Sequence, residues 1–337
     1  MTTPQSRIVL MFASEVDLHA DAILLELESR GVSVVRIDPE SDWSERTSIT
    51  VEPGDAQAVG EIVHGGKIAR LESIVSVCCR SWVFRRARES DPLEEHLRLH
   101  EMRAGLASLG RVLADRFWIN RPWREEAIES KMAQAIDARR KGLEVPSTIV
   151  TSDPEAAIRF FDRCDDDVVV KQLSDVSLID DSEVDREDGA VYGFYTERVP
   201  REAIEQGGEA IRSAPVLLQE RVEKAADLRV TVVGERVFAH RIESQASTVA
   251  RTDFRKDLSL RHAEVEPPSE IAARLVTLVR SWGLHFAACD FIETTEGRHV
   301  FLEANPGGNW LWLEGPETFP ILDAVAEDLA AGGRAEV

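Results

Sequence analysis

The sequence predicts an α/β protein, because apolar strands and amphipathic helices alternate along most of the chain. Residues 7–12 (RIVLMF) form an apolar run typical of a buried strand. Residues 19–31 (HADAILLELESRG) predict a helix ended by glycine, and residues 32–38 (VSVVRID) the next strand. A chain of 337 residues is long enough for two or three packed units with a sizeable core.

The rest of the N-terminal part continues this α/β pattern. A strand is predicted at 73–79 and a helix at 94–117, so we assign residues 1–118 to one α/β unit. The unit has no G-x-G-x-x-G motif, which leaves a dinucleotide-binding fold without support.

The middle of the chain predicts further helices and strands. A long helix is expected to begin after the proline in NRPW and to end at Gly142, and a second helix to have Pro154 in its first turn. Strands are predicted at 167–173 and 191–199, separated by an acidic, serine-bearing loop at 174–190.

The C-terminal part predicts two hairpins and one helix. A strand at 215–222 precedes a hairpin at 228–242 that turns at Gly234-Glu235. A helix at 269–283 then leads to a second hairpin at 286–305. We find no internal repeat.

Composition excludes several classes of function. The net charge of −21 argues against a nucleic-acid partner, which requires a basic face, although phosphate-bearing small molecules stay compatible with it. The four cysteines have no metal-type spacing and suggest packed thiols in a reducing compartment. No stretch approaches membrane-spanning length and the N-terminal apolar run is too short for a signal peptide, so we expect a cytoplasmic protein.

The second hairpin, FAACDFIETTEGRHVFLEAN, carries the clearest chemical signal. If its turn is centred on Glu296-Gly297, Asp290 lies opposite Glu303, and Asn305 shares their face by the two-residue period of a strand. Two carboxylates and an amide oxygen suit Mg²⁺. On spacing alone, an ordinary solvated strand face is an equally good interpretation, and a bulge could change the register.

These residues and those that follow resemble a known family. LHFAACDF…VFLEANPGGNWLW resembles the metal-binding end of the ATP-grasp superfamily, and its tail resembles the maturases of microviridin-type graspetides. The maturase motif usually reads Asn-Pro-x-Gly-Gln-Trp, so Asn309 is a small departure. Further segments from Asn120 onwards match in the same order, and the N-terminal unit matches more loosely.

The resemblance implies an ATP-grasp fold with three parts. Residues 1–118 would be the N-terminal α/β (pre-ATP-grasp) domain, 119–215 the central subdomain and 216–337 the C-terminal subdomain with the metal site. The last two would clasp ATP.

The resemblance also implies which residues bind nucleotide. Lys131 and Lys171 would contact the ATP phosphates. LLQERV resembles the hinge strand, where Gln219, Glu220 and Val222 would lie at the adenine, the last two through backbone groups. Lys171 ends a run of three valines, which predicts a buried stem and a need for an anionic partner such as phosphate. Without the resemblance, the simpler interpretation of both lysines is a surface residue.

The remaining implied residues belong to the metal and to phosphoryl transfer. Asp290, Glu303 and Asn305 would hold Mg²⁺, and Asp227 would lie near the ribose or orient basic groups. Arg229 and Arg255 would stabilise the transferring phosphoryl group or an acyl-phosphate. For either arginine alone, a surface ion pair is the simpler interpretation, and His240 is expected to be a packed strand histidine.

The implied activity is ATP-dependent joining of Asp or Glu side chains of a ribosomal precursor peptide to Ser or Thr hydroxyls or Lys amines, by an enzyme that forms a homodimer. The glycine-poor segment 174–190 would meet the leader of that peptide. The arginines of RSWVFRRAR (80–88) would attract its acidic core, cap a helix or form ion pairs. Trp310 and Trp312 fit a wide peptide cleft or simple core packing. The alternatives are a ligase that adds a free amino acid to a metabolite or protein, and a nucleotide-binding scaffold without catalysis.

Overall fold

The computed structural model describes residues 7–39, 46–55, 57–82, 91–173, 195–315 and 318–333. The chain divides into two compact units. Unit 1 comprises Met1–Glu125, Leu284–Phe286 and Pro306–Val337, and unit 2 comprises Glu126–Gly283 and Ala287–Asn305. The division of the chain into three subdomains stays a prediction.

Unit 1 contains a parallel sheet, as the strand–helix–strand opening predicts. Its strands are β1 (Ile8–Phe12), β2 (Ser33–Ile37), β6 (Ile74–Cys79) and β7 (Phe117–Ile119), in the order β2-β1-β6-β7. The helices of the unit are α1 (Leu18–Ser29), α2 (Pro92–Val112), α3 (Pro122–Glu126, which ends at the boundary of the unit) and α9 (Pro320–Ala331). Every residue of β1 is buried, which explains its uninterrupted apolar sequence.

A small antiparallel sheet in unit 1 was not predicted from the sequence. It consists of β3 (Thr47–Pro53), β4 (Ala58–His64) and β5 (Lys67–Arg70) in that order. Ile62 and Ala69 are buried in the core of the unit, whereas most other residues of the three strands are partly or fully exposed. Exposed strand positions can be occupied by polar residues, so these three strands lack the apolar pattern from which a strand is predicted.

Unit 2 contains two sheets. The first has the order β10-β9-β11-β8 and is formed by β8 (Thr148–Thr151), β9 (Val168–Lys171), β10 (Glu197–Arg198) and β11 (Val216–Glu220). Three helices belong to the same part of the chain: α5 (Pro154–Arg163), α6 (Arg201–Gln206) and α7 (Gly208–Ser213). Phe160 and Phe161 are fully buried in their shared core.

The second sheet of unit 2 has the order β14-β13-β12-β15-β16. Its strands are β12 (Ala226–Val233), β13 (Arg236–Ile242), β14 (His262–Val265), β15 (Phe286–Glu293) and β16 (His299–Asn305). The β12–β13 hairpin turns at Gly234, whose φ of 62° is a conformation that favours glycine, and this confirms the predicted turn. Helices α4 (Lys131–Arg140) and α8 (Ser269–Ser281) complete the unit.

Three predicted elements differ from the structure. The helix expected to run to Gly142 is two helices, α3 and α4, because Ser130 caps α4 by accepting a hydrogen bond from the backbone of Ala133. The helix predicted at 94–117 ends at Val112, and β7 follows it. Of the strand predicted at 191–199, Glu197–Arg198 is present, and residues 191–194 lie outside the described ranges.

Across the described ranges, we find no helix with the length and apolar character needed to cross a membrane.

Candidate active site

The carboxylate hairpin, formed by β15 and β16, places its two acidic side chains opposite each other. Asp290 pairs with Glu303 in the antiparallel register, which confirms the predicted pairing. A bulge follows Asp290, so that Phe291 pairs with Phe301. Asn305 lies two residues after Glu303 and opposite Ala288. The two carboxylates and the amide therefore remain on one face, because the register changes only beyond them.

Two lysines approach this face from other elements. Lys131, the first residue of α4, has its Nζ 3.7 Å from Oε2 of Glu303. Lys171 ends β9, where burial lowers the pKa of its ammonium group, while the nearby carboxylates of Glu303 and Asp290 oppose that shift. The structure thus brings both predicted phosphate-binding lysines to the carboxylate hairpin.

Arg229 is bound to the other carboxylate. Its Nη1 donates to both oxygens of Asp290 at 2.9 Å, and its side chain is only 9% exposed. Burial would raise the pKa of Glu303, but the positive charges of Lys171 and Lys131 outweigh it and the pKa is lowered. Glu303 is therefore ionised at neutral pH, as a metal ligand must be.

Arg255 lies nearby and is held by an aspartate. Its Nε and Nη2 donate to Asp253 at 2.9 and 2.6 Å, and the same carboxylate accepts the backbone N–H of Thr196 at 3.0 Å. Hydrogen bonding to Asp253 raises the pKa of Arg255, and the charges of Glu303 and Asp290 act in the same direction. The Arg255 side chain is half exposed. It can therefore meet a ligand while Asp253 fixes its orientation.

Among the residues that the structure describes, four cationic side chains thus surround two carboxylates on this face, and Asp253 neutralises one of the four. Such an excess of positive charge suits a polyanion. In the described part of the chain there is no cluster of three or more His, Cys, Asp and Glu side chains that could hold a metal. The donor set of two carboxylates and one amide instead fits Mg²⁺, which keeps positions for water and phosphate oxygens.

A pocket beside this face is lined by the predicted hinge. Its lining includes Lys171, Gln219, Glu220 and Val222. Gln219 is buried and its Nε2 donates to Oγ1 of Thr148 at 3.1 Å, so its side chain supports the strand. Glu220 donates its backbone N–H to Ser147.

Val222 differs from its neighbours in the hinge. Among the described residues, its backbone N–H and C=O have no hydrogen-bond partner. A donor and an acceptor on one residue are the groups that read the edge of a purine ring. The position predicted to contact adenine through its backbone is therefore available for that contact.

Asp227 occupies a closed ion pair. Nζ of Lys224 donates to both Asp227 oxygens, at 2.9 and 2.7 Å, and to the carbonyl of Thr252 at 3.2 Å. Both side chains are 6% exposed. Of the two predicted roles for Asp227, this geometry favours orienting a basic group over contact with ribose.

Sequence reasoning missed Lys224 and Asp253. Lys224 stands three residues before Asp227, and Asp253 two residues before Arg255, so in both cases a charged residue of opposite sign lies close in sequence to a predicted site residue. That local charge pairing is the signal that could have identified them.

The two tryptophans and His240 have different surroundings. Trp310 is 2% exposed and packs edge-on against His19 with ring centres 4.6 Å apart, which is core packing. Trp312 is 42% exposed. His240 is buried on β13, as predicted for a packed strand histidine.

The chain is similar to solved structures but to no family model or curated protein. A Chryseobacterium gregarium RiPP-associated ATP-grasp ligase, solved with ADP and a leader and core peptide, has a TM-score of 0.85 and 25% identity, covering 97% of this chain and 98% of that one. Macrocyclase MdnC from Microcystis aeruginosa MRC, bound to precursor peptide MdnA, has a TM-score of 0.79 and 26% identity, covering 96% and 99%. Macrocyclase MdnB from the same source has a TM-score of 0.77 and 27% identity, with the same coverage.

Nucleotide and metal are present in similar structures. The ATP-grasp ligase PsnB, solved with a minimal precursor, Mg and ADP, has a TM-score of 0.73 at 23% identity, covering 96% of this chain and 97% of that one. At that identity the similarity concerns the fold. Together the comparisons confirm the predicted ATP-grasp fold and the resemblance to graspetide maturases, and the chain is an ATP-grasp ligase.

Proposed function

We propose that this ligase uses ATP and Mg²⁺ to close ester or amide rings in a ribosomal precursor peptide. One observation carries the proposal: Asp290 faces Glu303 on a strand pair approached by Lys131, Lys171 and Arg229. Beside it lies a hinge pocket, where the backbone N–H and C=O of Val222 have no partner among the described residues. These residues would bring together ligands for a metal, cations for phosphate and for the transferred phosphoryl group, and backbone groups for a purine.

The nucleotide would lie in the hinge pocket. Val222 would exchange hydrogen bonds with the adenine edge through its N–H and C=O. Lys131 and Lys171 would bind phosphate oxygens, and that contact would compensate the burial that lowers the pKa of Lys171. Asp290, Glu303 and Asn305 would hold Mg²⁺, which neutralises phosphate charge when bound.

The first chemical step activates a carboxylate. A side-chain carboxylate oxygen of the peptide attacks the γ-phosphorus, the bond from that phosphorus to the β,γ-bridging oxygen breaks, and ADP leaves. Both reactants are anions, so their repulsion is the main obstacle. Arg229 and Arg255 would reduce that repulsion, because each places a guanidinium group on this face in an orientation fixed by an aspartate.

The second step forms the ring. A Ser or Thr hydroxyl, or a Lys amine, of the same peptide attacks the acyl carbon, phosphate leaves with the bonding electrons, and the nucleophile loses one proton. Each ring removes one water from the peptide and converts one ATP to ADP and phosphate. The arginines would stabilise the departing phosphate as well as the transferring phosphoryl group.

The partner and the setting extend the proposal. The peptide would carry a leader and an acidic core, in agreement with the leader, core and precursor peptides bound to the similar proteins. We also propose that the enzyme acts in the cytoplasm as a homodimer. The segment 174–190 predicted to grip the leader, and Arg85, Arg86 and Arg88, lie outside the described residues.

The proposal is tested by incubating the enzyme with ATP, Mg²⁺ and the precursor peptide encoded beside its gene. We expect the peptide to lose the mass of one water per ring, in a reaction that needs the leader. Glu303→Gln should abolish the change, and Glu296→Gln, in the exposed turn of the same hairpin, should not. Consumption of free amino acids in place of peptide would support the amino-acid ligase, and absence of ADP formation with any carboxylate would support the scaffold.

A further inference from the structure

The chain segment that directly follows Asn305 is held by side chains of unit 1. We call residues 306–310, Pro-Gly-Gly-Asn-Trp, the exit loop. Two adjacent glycines give this loop more conformational freedom than any other pair of residues would. Asn305 is the last residue of β16, where it pairs with Ala288, so restraint of the loop on its other side would further limit its movement.

Arg80 provides that restraint. Its Nη1 donates to the carbonyl of Gly307 at 3.1 Å, and its Nη2 donates to Oδ1 of Asn309 at 3.0 Å. The guanidinium carbon lies 5.2 Å from the centre of the Trp310 ring. The side chain is 9% exposed. Arg80 is therefore engaged with the exit loop, and of its predicted roles the structure favours ion pairing over attraction of a peptide.

Asp17 fixes Arg80 from the other side. Its Oδ2 accepts Nε of Arg80 at 3.1 Å, while its Oδ1 caps α1 by accepting the backbone N–H groups of His19 and Ala20. Burial alone would raise the pKa of Asp17, but the interactions with His19 and Arg80 outweigh it and hold the pKa well below its usual range. The carboxylate is thus charged at every physiological pH.

Two further side chains hold the ends of the exit loop. Nε2 of His19 accepts the backbone N–H groups of Trp310 at 3.0 Å and Leu311 at 3.2 Å. Nδ2 of Asn120 donates to the carbonyl of Pro306 at 3.1 Å, immediately after Asn305. Pro306, Gly307, Asn309 and Trp310 therefore all make contacts with side chains of unit 1.

We propose that Arg80 is a positioning residue for the metal ligand Asn305, acting through the exit loop. The inference rests on the proposed function, because it assumes that Asn305 binds Mg²⁺. Its physical basis is preorganisation: a restrained loop leaves less freedom to be lost when the amide oxygen binds metal. Arginine is required because three N–H groups in a planar fork meet three separate acceptors, which an ammonium group cannot reproduce.

The test measures metal binding rather than turnover. Binding of Mn²⁺, as a substitute for Mg²⁺, to the enzyme–ADP complex is measured by calorimetry for the wild type, for Arg80→Lys and for Arg103→Lys. Arg103 is an exposed residue of α2, also in unit 1, and is the matched control. We expect Arg80→Lys to weaken Mn²⁺ binding about 10-fold or more, as loss of a residue that orients a metal ligand does, and Arg103→Lys to change nothing.

Two further measurements separate positioning from folding. ADP binding without metal and the unfolding midpoint are expected to change little in Arg80→Lys. In Arg80→Ala, added guanidinium ion below denaturing concentration should restore part of the Mn²⁺ affinity. Asn309→Ala, which leaves the Arg80–Asp17 pair intact, should weaken Mn²⁺ binding by a smaller factor.

The outcomes are distinct. Unchanged Mn²⁺ affinity in a folded Arg80→Lys variant, or equal losses of ADP and Mn²⁺ binding, would overturn the positioning role alone. If the wild-type enzyme with ADP did not bind Mn²⁺, or if Glu303→Gln left that binding unaltered, the proposed metal site itself would fail.

Discussion

Strand β12 contributes one residue to each of two buried ion pairs, and the two pairs differ in where the partner lies and in how their charges are balanced. Asp227 and Arg229 are neighbours on one face of β12, and each binds a partner of opposite charge. Asp227 is bound by Lys224, three residues away, whereas Arg229 binds Asp290, 61 residues away on the adjacent strand β15. The first pair is local and the second joins two strands.

The two pairs also differ in how their charges are balanced. Lys224 donates to both oxygens of Asp227, so one cation matches one anion. Asp290 faces a second carboxylate, Glu303, and two lysines lie beside that carboxylate. Burial alone therefore does not distinguish a structural pair from a functional one. Among the described residues, more positive than negative side chains surround Arg229–Asp290, in agreement with the anionic ligand proposed for this face.

The largest effect is expected from replacing Asp290, the carboxylate of the Arg229–Asp290 pair. Asp290→Asn, alone or with Glu303→Gln, should reduce Mg²⁺-dependent turnover of the precursor peptide at least about a thousandfold, which corresponds to about 4 kcal/mol in transition-state free energy. Circular dichroism should remain close to that of the wild type, whereas the unfolding midpoint should fall, because Arg229 loses its buried carboxylate partner. Normal turnover by a folded double variant would contradict the assignment of the metal ligands.

Breaking the first pair should change stability more than chemistry. Lys224→Met leaves the Asp227 carboxylate buried without its cation, and we expect it to lower the free energy of unfolding by about 3 kcal/mol. Replacing both residues, by Lys224→Met with Asp227→Leu, should recover most of that loss, because no buried charge then remains. Urea denaturation of the single and double variants measures both. If the double variant were no more stable than Lys224→Met, the loss of stability would not come from an unpaired buried Asp227 carboxylate.

The contrast between the pairs also explains what the sequence could predict. The facing of Asp290 and Glu303 follows from one tight hairpin, in which the turn sets the register, so the pairing could be predicted locally. The Arg229–Asp290 contact depends on β12 and β15 being neighbours in the sheet, which no local pattern specifies. The restraint of the exit loop by Arg80 spans 227 residues and was equally inaccessible.

Failures at the level of the fold have a similar origin. The sheet β3–β5 was missed because its residues are largely exposed and polar, so the strands lack a clear apolar pattern. The break between α3 and α4 depends on one cap at Ser130, which competes with a helical pattern that otherwise continues. The predicted roles of Lys131 and Lys171 came from the family resemblance. Without it, both side chains would have been interpreted as surface lysines.

A smaller effect is expected from removing Lys171, a cation next to the Arg229–Asp290 pair. Lys171→Ala should weaken ATP binding by about 10- to 100-fold, or about 1.4–2.7 kcal/mol, because a charge-assisted contact to phosphate is lost. Calorimetry with a non-hydrolysable ATP analogue measures the change. Lys141→Ala, at the end of α4, is the control and should bind the analogue normally. Equal affinities in the two variants would place Lys171 outside the nucleotide site.

The smallest effect concerns a third buried titratable group beside the two pairs. His240 lies directly opposite Arg229 on β13 and is 3% exposed, and no described residue forms a hydrogen bond with its Nδ1. Burial, together with the neighbouring His262, lowers the pKa of His240 to about 4 from an ordinary value of 6.5. The unfolded chain therefore takes up the proton first as the pH falls.

The sign of the pH effect follows from that order of protonation. Above about pH 6.5 the imidazole is neutral in both states and has no effect, whereas between about pH 6.5 and 4 protonation favours the unfolded chain. His240→Gln should remove that part of the acid destabilisation, seen as a flatter dependence of the urea midpoint on pH over this range. His100→Gln, at a side chain that is 73% exposed, should leave the dependence unchanged. If His240→Gln and the wild type showed the same slope, His240 would be accepting its proton without cost, and its burial would not distinguish it from a surface histidine.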